Sequence, residues 1–584
     1  MKRRNFIELI TLAGGVFASG TAFSNDVYSQ MVTESFGSKE RTYEADVIIV
    51  GAGLGGFAAA MAALRNGLSV VLTEETDWIG GQLTQQGLSC PDEHPWIETH
   101  GATQMYRDFR TAVREYYVKN YPLTDSARKT KYLNPGSGLV SRLCFEPRVA
   151  LSVMYAMMAP YLSSRKLTLL LQHKITGAEV AGDKVVALKA KNTSTGLKEI
   201  ILKAPQFIDA TELGDLLPLT GTEYVTGAES RKETNELHAP EKADAKNIQA
   251  YTYCLVMDYV PESNQIIEKP AQYDYWKNFI PEVSPPWPGK LLSLSYSNPS
   301  TLQPKSLAFN PVNLPTDGVL NLFNYRRIIN PDNFAAGTYN GGMTIVNWPQ
   351  NDFLTGNLID VSDKEFEKNI QNSKQLSLSL FYWLQTEAPR RDGGAGWPGL
   401  RLRGDIYRTE DGMAKYPYIR ESRRIKAVFT ILEEHVGKAN REMVAGKTDG
   451  KVAADFFDSV GTGYYHIDLH PTNSGNNYID FDSLPFQIPL GALLPVRMTN
   501  LFPANKNIGT THLTNGCYRL HPVEWSIGEA VGMLVSFAKN KKIMPHAVRE
   551  NKDLLGDFQK FIRSQGLETH WPKAAMWWNI QPVS

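Results

Sequence analysis

The sequence predicts an α/β protein: a parallel sheet carries a dinucleotide site, and a long mixed α+β segment interrupts it. Three observations carry that reading. A glycine loop near the start sits between two apolar runs. A later stretch of period two ends in Asp209-Ala210-Thr211. A closing strand, loop and helix follow after a long stretch rich in proline and aromatic residues.

The glycine loop is the organising element. Val47 to Val50 is an apolar run, and Gly51, Gly53 and Gly56 follow in G-x-G-x-x-G spacing. An alanine-rich helical segment, Phe57 to Asn66, is closed by Gly67. A second apolar run, Ser69 to Thr73, ends at Glu74. Strand, glycine turn, helix, strand and acid in this order make a dinucleotide fingerprint. Gly51 allows the tight turn, Gly53 leaves room for the pyrophosphate, and Gly56 lets helix and strand approach. The helix start offers free N–H groups to phosphate, and Glu74 can accept from a ribose hydroxyl.

A chain of 584 residues has room for two or three domains, or for one domain with a second inserted. A formal net charge of zero gives no reason to expect nucleic acid or an anionic membrane as partner. The four cysteines, Cys90, Cys144, Cys254 and Cys517, form no C-x-x-C pair, so no zinc or dithiol motif is supported. Residues 1–24 read as an export signal: Lys2, Arg3 and Arg4 precede a mildly apolar stretch, and Ala22-Phe23-Ser24 resembles a cleavage site. Arg3-Arg4-Asn5-Phe6-Ile7 is similar to a twin-arginine signal. Residues 25–42 read as a flexible linker. The expectation is an exported, periplasmic protein without stable membrane insertion, since no later apolar run reaches about 20 residues.

Further along, Gly80-Gly81-Gln82-Leu83 forms a turn able to pass beneath a flat ring. His94 and His100 flank the start of an amphipathic helix, and Pro147 marks the start of another. Leu167 to Lys203 alternates with period two and reads as an antiparallel meander. Residues 43–229 are thus read as the first part of the nucleotide domain, 230–485 as an inserted substrate domain, 486–545 as the return to the first domain, and 546–584 as a terminal helix and tail. Within 230–485 three stretches stand out: Asn347 to Asp352, Pro417 to Arg424, and Tyr464 to His470. Gly528 and Gly532 inside the closing helix cost stability, so close packing on its face is expected.

Together VGAGLGGFAAA, IGGQLT, DEHPWIETHG, VSRLCFEPRVA, FIDATELGDLLPLTG, PYIRESRRI, YYHIDLHP and NIGTTHLTNGCYRLHPVEWSIGEAVG resemble the FAD-dependent oxidoreductases of the glutathione-reductase-like superfamily. More narrowly, they resemble the bacterial FAD-dependent oxidoreductases that are exported or sugar-associated. The resemblance implies a Rossmann-like FAD-binding domain in a three-layer ββα arrangement. It also implies that Gly51, Gly53, Gly55 and Gly56 line the pyrophosphate and Glu74 holds the ribose. Gly81 and Gln82 would lie near the flavin or ribityl chain, Val180 at adenine, and Asp209 to Glu212, with Thr211, behind the cofactor. Ile508 and Gly509 would approach the flavin, and N–H groups near His521 to Glu524, beside Pro522, would face its N1–C2=O edge. Members often carry Gly-Asp after the last short strand; here Pro503-Ala504-Asn505-Lys506-Asn507 stands instead.

For the chemistry, His466, Asp468 and His470 would share one face of a strand at i, i+2 and i+4. They could act in acid–base or substrate contact, make structural hydrogen bonds, or bind a divalent metal; no metal is assigned to the site. His94 and then His521 are the next bases. Arg420, Arg423 and Arg424 could clamp a carboxylate or form a salt-bridge cluster. Three functions stay open. The first is oxidation of a C–H bond of a small polar substrate such as a sugar or polyol, with electrons passing to oxygen or another non-nicotinamide acceptor. The second is reduction of an unsaturated substrate fed by a redox partner, and the third is a non-catalytic flavin-bearing carbohydrate binder.

Overall fold

The chain enters through β1 (Thr42–Glu44) and β2 (Val47–Val50). The computed structural model describes residues 41–195, 199–312, 318–446 and 453–572; the export signal and nearly all of the linker lie outside them. β2 is buried on both faces. Val47 and Ile49 pack on one side, Ile48 and Val50 on the other, so its sequence is a continuous apolar run rather than an alternating one. α1 (Leu54–Arg65) starts three residues before Phe57, with Gly55 and Gly56 in its first turn; Gly67 closes it at φ +88°. β3 (Val70–Glu74) then lies parallel to β2.

After α2 (Gln104–Asn120) and α3 (Pro147–Ser163), β4 (Leu167–Leu171) corrects the expected meander. It pairs parallel to β3, with Leu167 opposite Val70 and Leu171 opposite Glu74. As an edge strand it is only half-buried, and its partial alternation imitates a hairpin strand. The antiparallel meander consists of β5 (His173–Ala181), β6 (Lys184–Asn192) and β7 (Ile200–Lys203). β8 (Gln206–Asp209) returns beside β2.

Residues 230–485 are less irregular than their composition suggests. Leu255–Tyr259 lies between Met343–Val346 and Leu400–Leu402 in an antiparallel sheet that ends in Arg327–Ile329. α4 (Asp363–Thr386) is capped by Ser362, whose hydroxyl accepts from the Glu365 N–H. A separate core runs from Leu213 to Tyr478. β9 (Ile467–Leu469) follows, paired with Ile479–Phe481. β10 (Leu501–Pro503) then joins β8, giving the parallel order β10-β8-β2-β3-β4. The meander covers one face of that sheet through Val185, Leu188 and Leu202. On the other face lie α1 and the closing helix. This is the expected three-layer ββα arrangement. No helix among the described residues is long and apolar enough to cross a membrane.

The chain ends through α5 (His512–Tyr518), α6 (His521–Lys541) and α7 (Lys552–Ser564). α6 presses on α1 where neither has bulk. A Cβ on Gly528 would stand 2.0 Å from the Gly55 carbonyl oxygen, and one on Gly532 2.4 Å from that of Ala59. Gly528→Ala should therefore cost about 1–3 kcal/mol by overpacking. Gly556→Ala, in α7 where a Cβ meets nothing within 4 Å, should gain about 0.5–1 kcal/mol. Urea unfolding midpoints of the two variants should move in opposite directions.

Candidate functional site

The parallel strands end at a cavity lined by Gly51, Gly53, Thr73, Glu74 and Thr211, among others. Gly51 has φ +89°, and a Cβ there would lie 2.3 Å from the Ala210 carbonyl oxygen, so the turn needs glycine. A Cβ on Gly56 would come within 1.9 Å of the Gly51 carbonyl oxygen, which fits the close helix–strand approach. Glu74 is buried. Its carboxylate accepts from the Ala52 N–H at 2.9 Å and from the Thr76 N–H and hydroxyl at 3.0 Å. Burial, with Glu75 adding repulsion, pushes its pKa up to about 8, which further donors such as ribose hydroxyls would reverse. Two lining residues carry buried side-chain oxygens without a hydrogen-bond partner, Thr73 Oγ1 and Glu212 Oε1; Gln82 Oε1, from the turn beside them, is a third. The donor-rich helix start, the open glycine and these orphaned acceptors fit a hydroxyl-bearing dinucleotide.

Beyond β10 the departure from Gly-Asp has a structural outcome. Asn505 and Asn507 donate to the carbonyls of Ala210 (3.3 Å) and Asp209 (3.0 Å), holding the end of β8. Lys506 is buried. Its ammonium lies between Glu212 and Glu524, the latter at 3.1 Å. Burial works against its charge, but the two carboxylates outweigh that and raise its pKa. Glu524 is in turn pushed up by burial and accepts at 2.6 Å from the Gln82 amide, which also donates to the Arg519 carbonyl at 3.1 Å.

Arg519 turns its guanidinium the other way, onto Asp468 at 3.2 Å. Of the three expected face residues only Asp468 lies within β9; His466 and His470 flank its two ends. His470 Nδ1 is 2.6 Å from Asp352, and its Nε2 is 3.7 Å from Asp468. His466 pairs with Asp480 at 3.1 Å. Burial draws His466 down, but the Asp480 hydrogen bond and Asp468 outweigh it. Burial likewise opposes ionisation of Asp468, yet His470, Arg519 and His466 hold it well below the usual carboxylate range. Solvent reaches this face: the His466, His470 and Asp468 side chains are 38%, 18% and 17% exposed. Among the described residues no cluster of three or more metal-ligating side chains is arranged to hold an ion.

Other expected site residues are placed elsewhere. His94 is buried in an aromatic group, 5.3 Å from the Trp571 ring and 6.1 Å from that of Tyr464; burial lowers its pKa to about 3. His521 Nδ1 accepts from the Asp92 N–H at 3.1 Å, and burial lowers its pKa to about 4, so it anchors a loop. Val180 is 37% exposed; β5 meets the cavity through His173, Lys174 and Ile175 instead. Gly55 faces the Ala504 carbonyl, 1.5 Å from where its Cβ would be, so packing requires glycine there. Gly509 is required by Ala427 and the Phe429 carbonyl, while Ile508 is fully buried in the main core and Pro522 lies buried in the first turn of α6. Asp209 caps its own turn, accepting from the Thr211 N–H and hydroxyl and the Leu216 N–H. Gly81 sits at φ +54° beside Gly53. The three arginines form salt bridges, not a clamp: Arg420 with Asp352, Arg423 with Asp215 and Asp360, Arg424 with Glu421 and Glu229. Sequence reasoning missed Asp92, Arg326, Arg519 and Lys506. Asp92, Arg519 and Lys506 lie within or beside motifs already singled out; Arg326, paired with Asp92 at 3.3 Å, carried no signal.

Two outcomes follow. Glu74→Ala removes a charged acceptor worth about 1.5–3 kcal/mol, so FAD affinity, read by flavin fluorescence, should fall about 10- to 100-fold. For His94, the unfolded chain binds a proton between pH 6.5 and about 3 that the folded chain does not. Stability is therefore present above pH 6.5 and lost as pH falls through that window. His94→Gln should flatten that acid limb of the urea midpoint, with FAD affinity unchanged.

Comparison with known proteins places the chain in a family. No curated protein matches the chain. Solved structures similar to it include a quinol fumarate reductase from E. coli, 11% identical over 90% of this chain and 74% of that one, with TM-score 0.30. The glycerol-3-phosphate dehydrogenase from Bacillus halodurans complexed with FAD is 15% identical over 37% and 40%, with TM-score 0.22. The L-proline dehydrogenase from P. horikoshii is 14% identical over 34% and 26%, with TM-score 0.17. This chain thus spans about a quarter of the last structure's length and under half of the second. The model of the family described as FAD dependent oxidoreductase matches residues 46–562. The chain belongs to that family, and it is an FAD-dependent oxidoreductase.

Proposed function

We propose that the protein oxidises a C–H bond of a small hydroxylated substrate, such as a sugar or polyol, with His470 as the base. Electrons then leave to oxygen or another non-nicotinamide acceptor. Family membership sets aside the non-catalytic reading. Gly51, Gly53, Glu74 and Thr211 would hold the adenine half of FAD, and Gly81 and Gln82 the half beyond. FAD, when bound, supplies the hydride acceptor. The basic start of the chain, Lys2 to Arg4, supports export, and residues 230–485 would supply the substrate side.

The observation that carries this reading is the Asp352–His470 pair facing Asp468. Asp352 is buried, and although burial opposes its charge, Arg420 and His470 lower its pKa. In the neutral ring it fixes Nδ1 as the donor, which leaves Nε2 to accept. Nε2 is 3.7 Å from Asp468, beyond hydrogen-bond reach, so a substrate hydroxyl approaching from the side can bridge the two. His470 then takes the hydroxyl proton at Nε2 as the C–H bond breaks. Asp468, kept ionised, accepts from a neighbouring hydroxyl. The Gln82–Arg519–Asp468 chain ties this face to the cofactor side.

Anaerobic mixing of the holoenzyme with sugars, polyols, amines and acids should bleach the flavin with at least one of them. His470→Gln should keep its FAD and lose about 10²- to 10⁴-fold in reduction rate; Asp352→Asn should lose less. An unchanged rate in His470→Gln would remove it from the mechanism.

A further inference from the structure

Buried arginines in this protein fall into two groups. Arg420 gives four hydrogen-bond or ion-pair contacts through both terminal nitrogens: the Ala250 carbonyl, Thr252, Asn347 and Asp352. Arg424 uses all three nitrogens, on Thr510, Glu421, Gly227 and Glu229. These two are spent on structure. Arg326 and Arg519 are not. Arg326 bonds through Nη1 alone, at 3.3 Å, to the Cys90 carbonyl and Asp92. Arg519 bonds through Nη2 alone, to the carbonyl and carboxylate of Asp468. Both Nε groups are buried without a partner, as is that of Arg420; what sets Arg326 and Arg519 apart is that each bonds through a single terminal nitrogen.

A third unused donor lies beside them. Tyr418 is 2% exposed, and its hydroxyl has no partner. Asp92, Arg519, Arg420 and Arg326 all act electrostatically on this phenol, which burial keeps protonated. Arg326 also stacks over Tyr325 at 5.0 Å. Two guanidinium forks and a phenol thus have donors to spare, and Arg519 brings its fork directly against Asp468. Unused donors at a buried site call for an oxygen-rich acceptor, and a planar guanidinium fork matches a carboxylate.

We propose that Arg326, Arg519 and Tyr418 form an anchor for a substrate carboxylate, so that the oxidised compound is a hydroxy acid or sugar acid rather than a neutral polyol. This rests on the oxidation reading of the same site and narrows its substrate class. Asp92 and Asp468 hold the two guanidiniums by one nitrogen each and leave the rest of the fork to the ligand. The hydroxyl to be oxidised would then fall toward His470.

The test uses FAD-loaded holoenzyme and two matched pairs, gluconate with sorbitol and glycerate with glycerol. Binding is read as the shift of the bound-flavin absorption spectrum. At least one acid should bind and its neutral partner should not. Arg326→Lys and Arg519→Lys should weaken that binding about 10- to 100-fold at unchanged FAD content and melting temperature, and Tyr418→Phe less. Acetate should compete with the acid in the wild type, which keeps the test alive if a variant fails to fold. Equal binding of the neutral partner, no shift with either acid at millimolar concentration, or indifference to both Arg→Lys changes overturns the anchor. If a neutral polyol bleaches the flavin, the anchor fails and the oxidation reading stands. If an acid binds through Arg326 and Arg519 yet no compound bleaches the flavin, the anchor stands and the oxidation reading fails.

Discussion

The contact on which the rest depends is the crossing of α1 and α6, two helices separated by most of the chain. Gly55 and Ala59 on one, and Gly528 and Gly532 on the other, bring backbone against backbone. Each glycine in α6 costs about 1 kcal/mol in helix propensity. The close approach returns this through dispersion contacts that a larger residue would forbid. It also fixes position: with α6 pinned at Gly528, its first turn sets Glu524 against Gln82, and the residue just before the helix sets the Arg519 carbonyl there too.

From that pin a line of hydrogen bonds and ion pairs crosses the protein. It runs from Lys506 to Glu524, Gln82, Arg519, Asp468, His470, Asp352 and Arg420. One end touches the glycine cradle through Glu212, the other the inserted core through Thr252 and Asn347. Charges this deep are costly to desolvate. They persist because each has a partner of opposite sign. Precise placement, more than stability, is what such pairs supply to a site that must align two bound molecules.

The parts of this arrangement that the sequence discloses are those written locally. Val47 to Glu74 shows its strand, turn, helix and acid because neighbours in sequence are neighbours in space. His466, Asp468 and His470 are legible for the same reason, through period two alone. Arg326, by contrast, is one of 61 basic residues, and only folding brings it to Asp92. Arg420 and Arg424 look like a clamp in sequence, but their partners Asp352, Glu229 and Glu421 decide otherwise. Gly509 is a glycine for the sake of Phe429, eighty positions earlier in the chain. β4 misled because an edge strand of a parallel sheet is half-exposed and copies the alternation of a hairpin.

The paired burial of charge in the inserted region also shapes how this protein can change. Removing one member of Arg420–Asp352 or Arg424–Glu421 leaves the other short of a partner in a low-dielectric interior, at up to about 3–5 kcal/mol, a large part of the margin of a folded chain. Replacing both members by apolar groups of similar volume can be nearly neutral. Single replacements at these pairs are therefore costly, while double replacements are open. Descent from this sequence, or laboratory evolution of it, would move through linked exchanges of whole ion pairs, and its history should be written in correlated columns rather than in isolated ones.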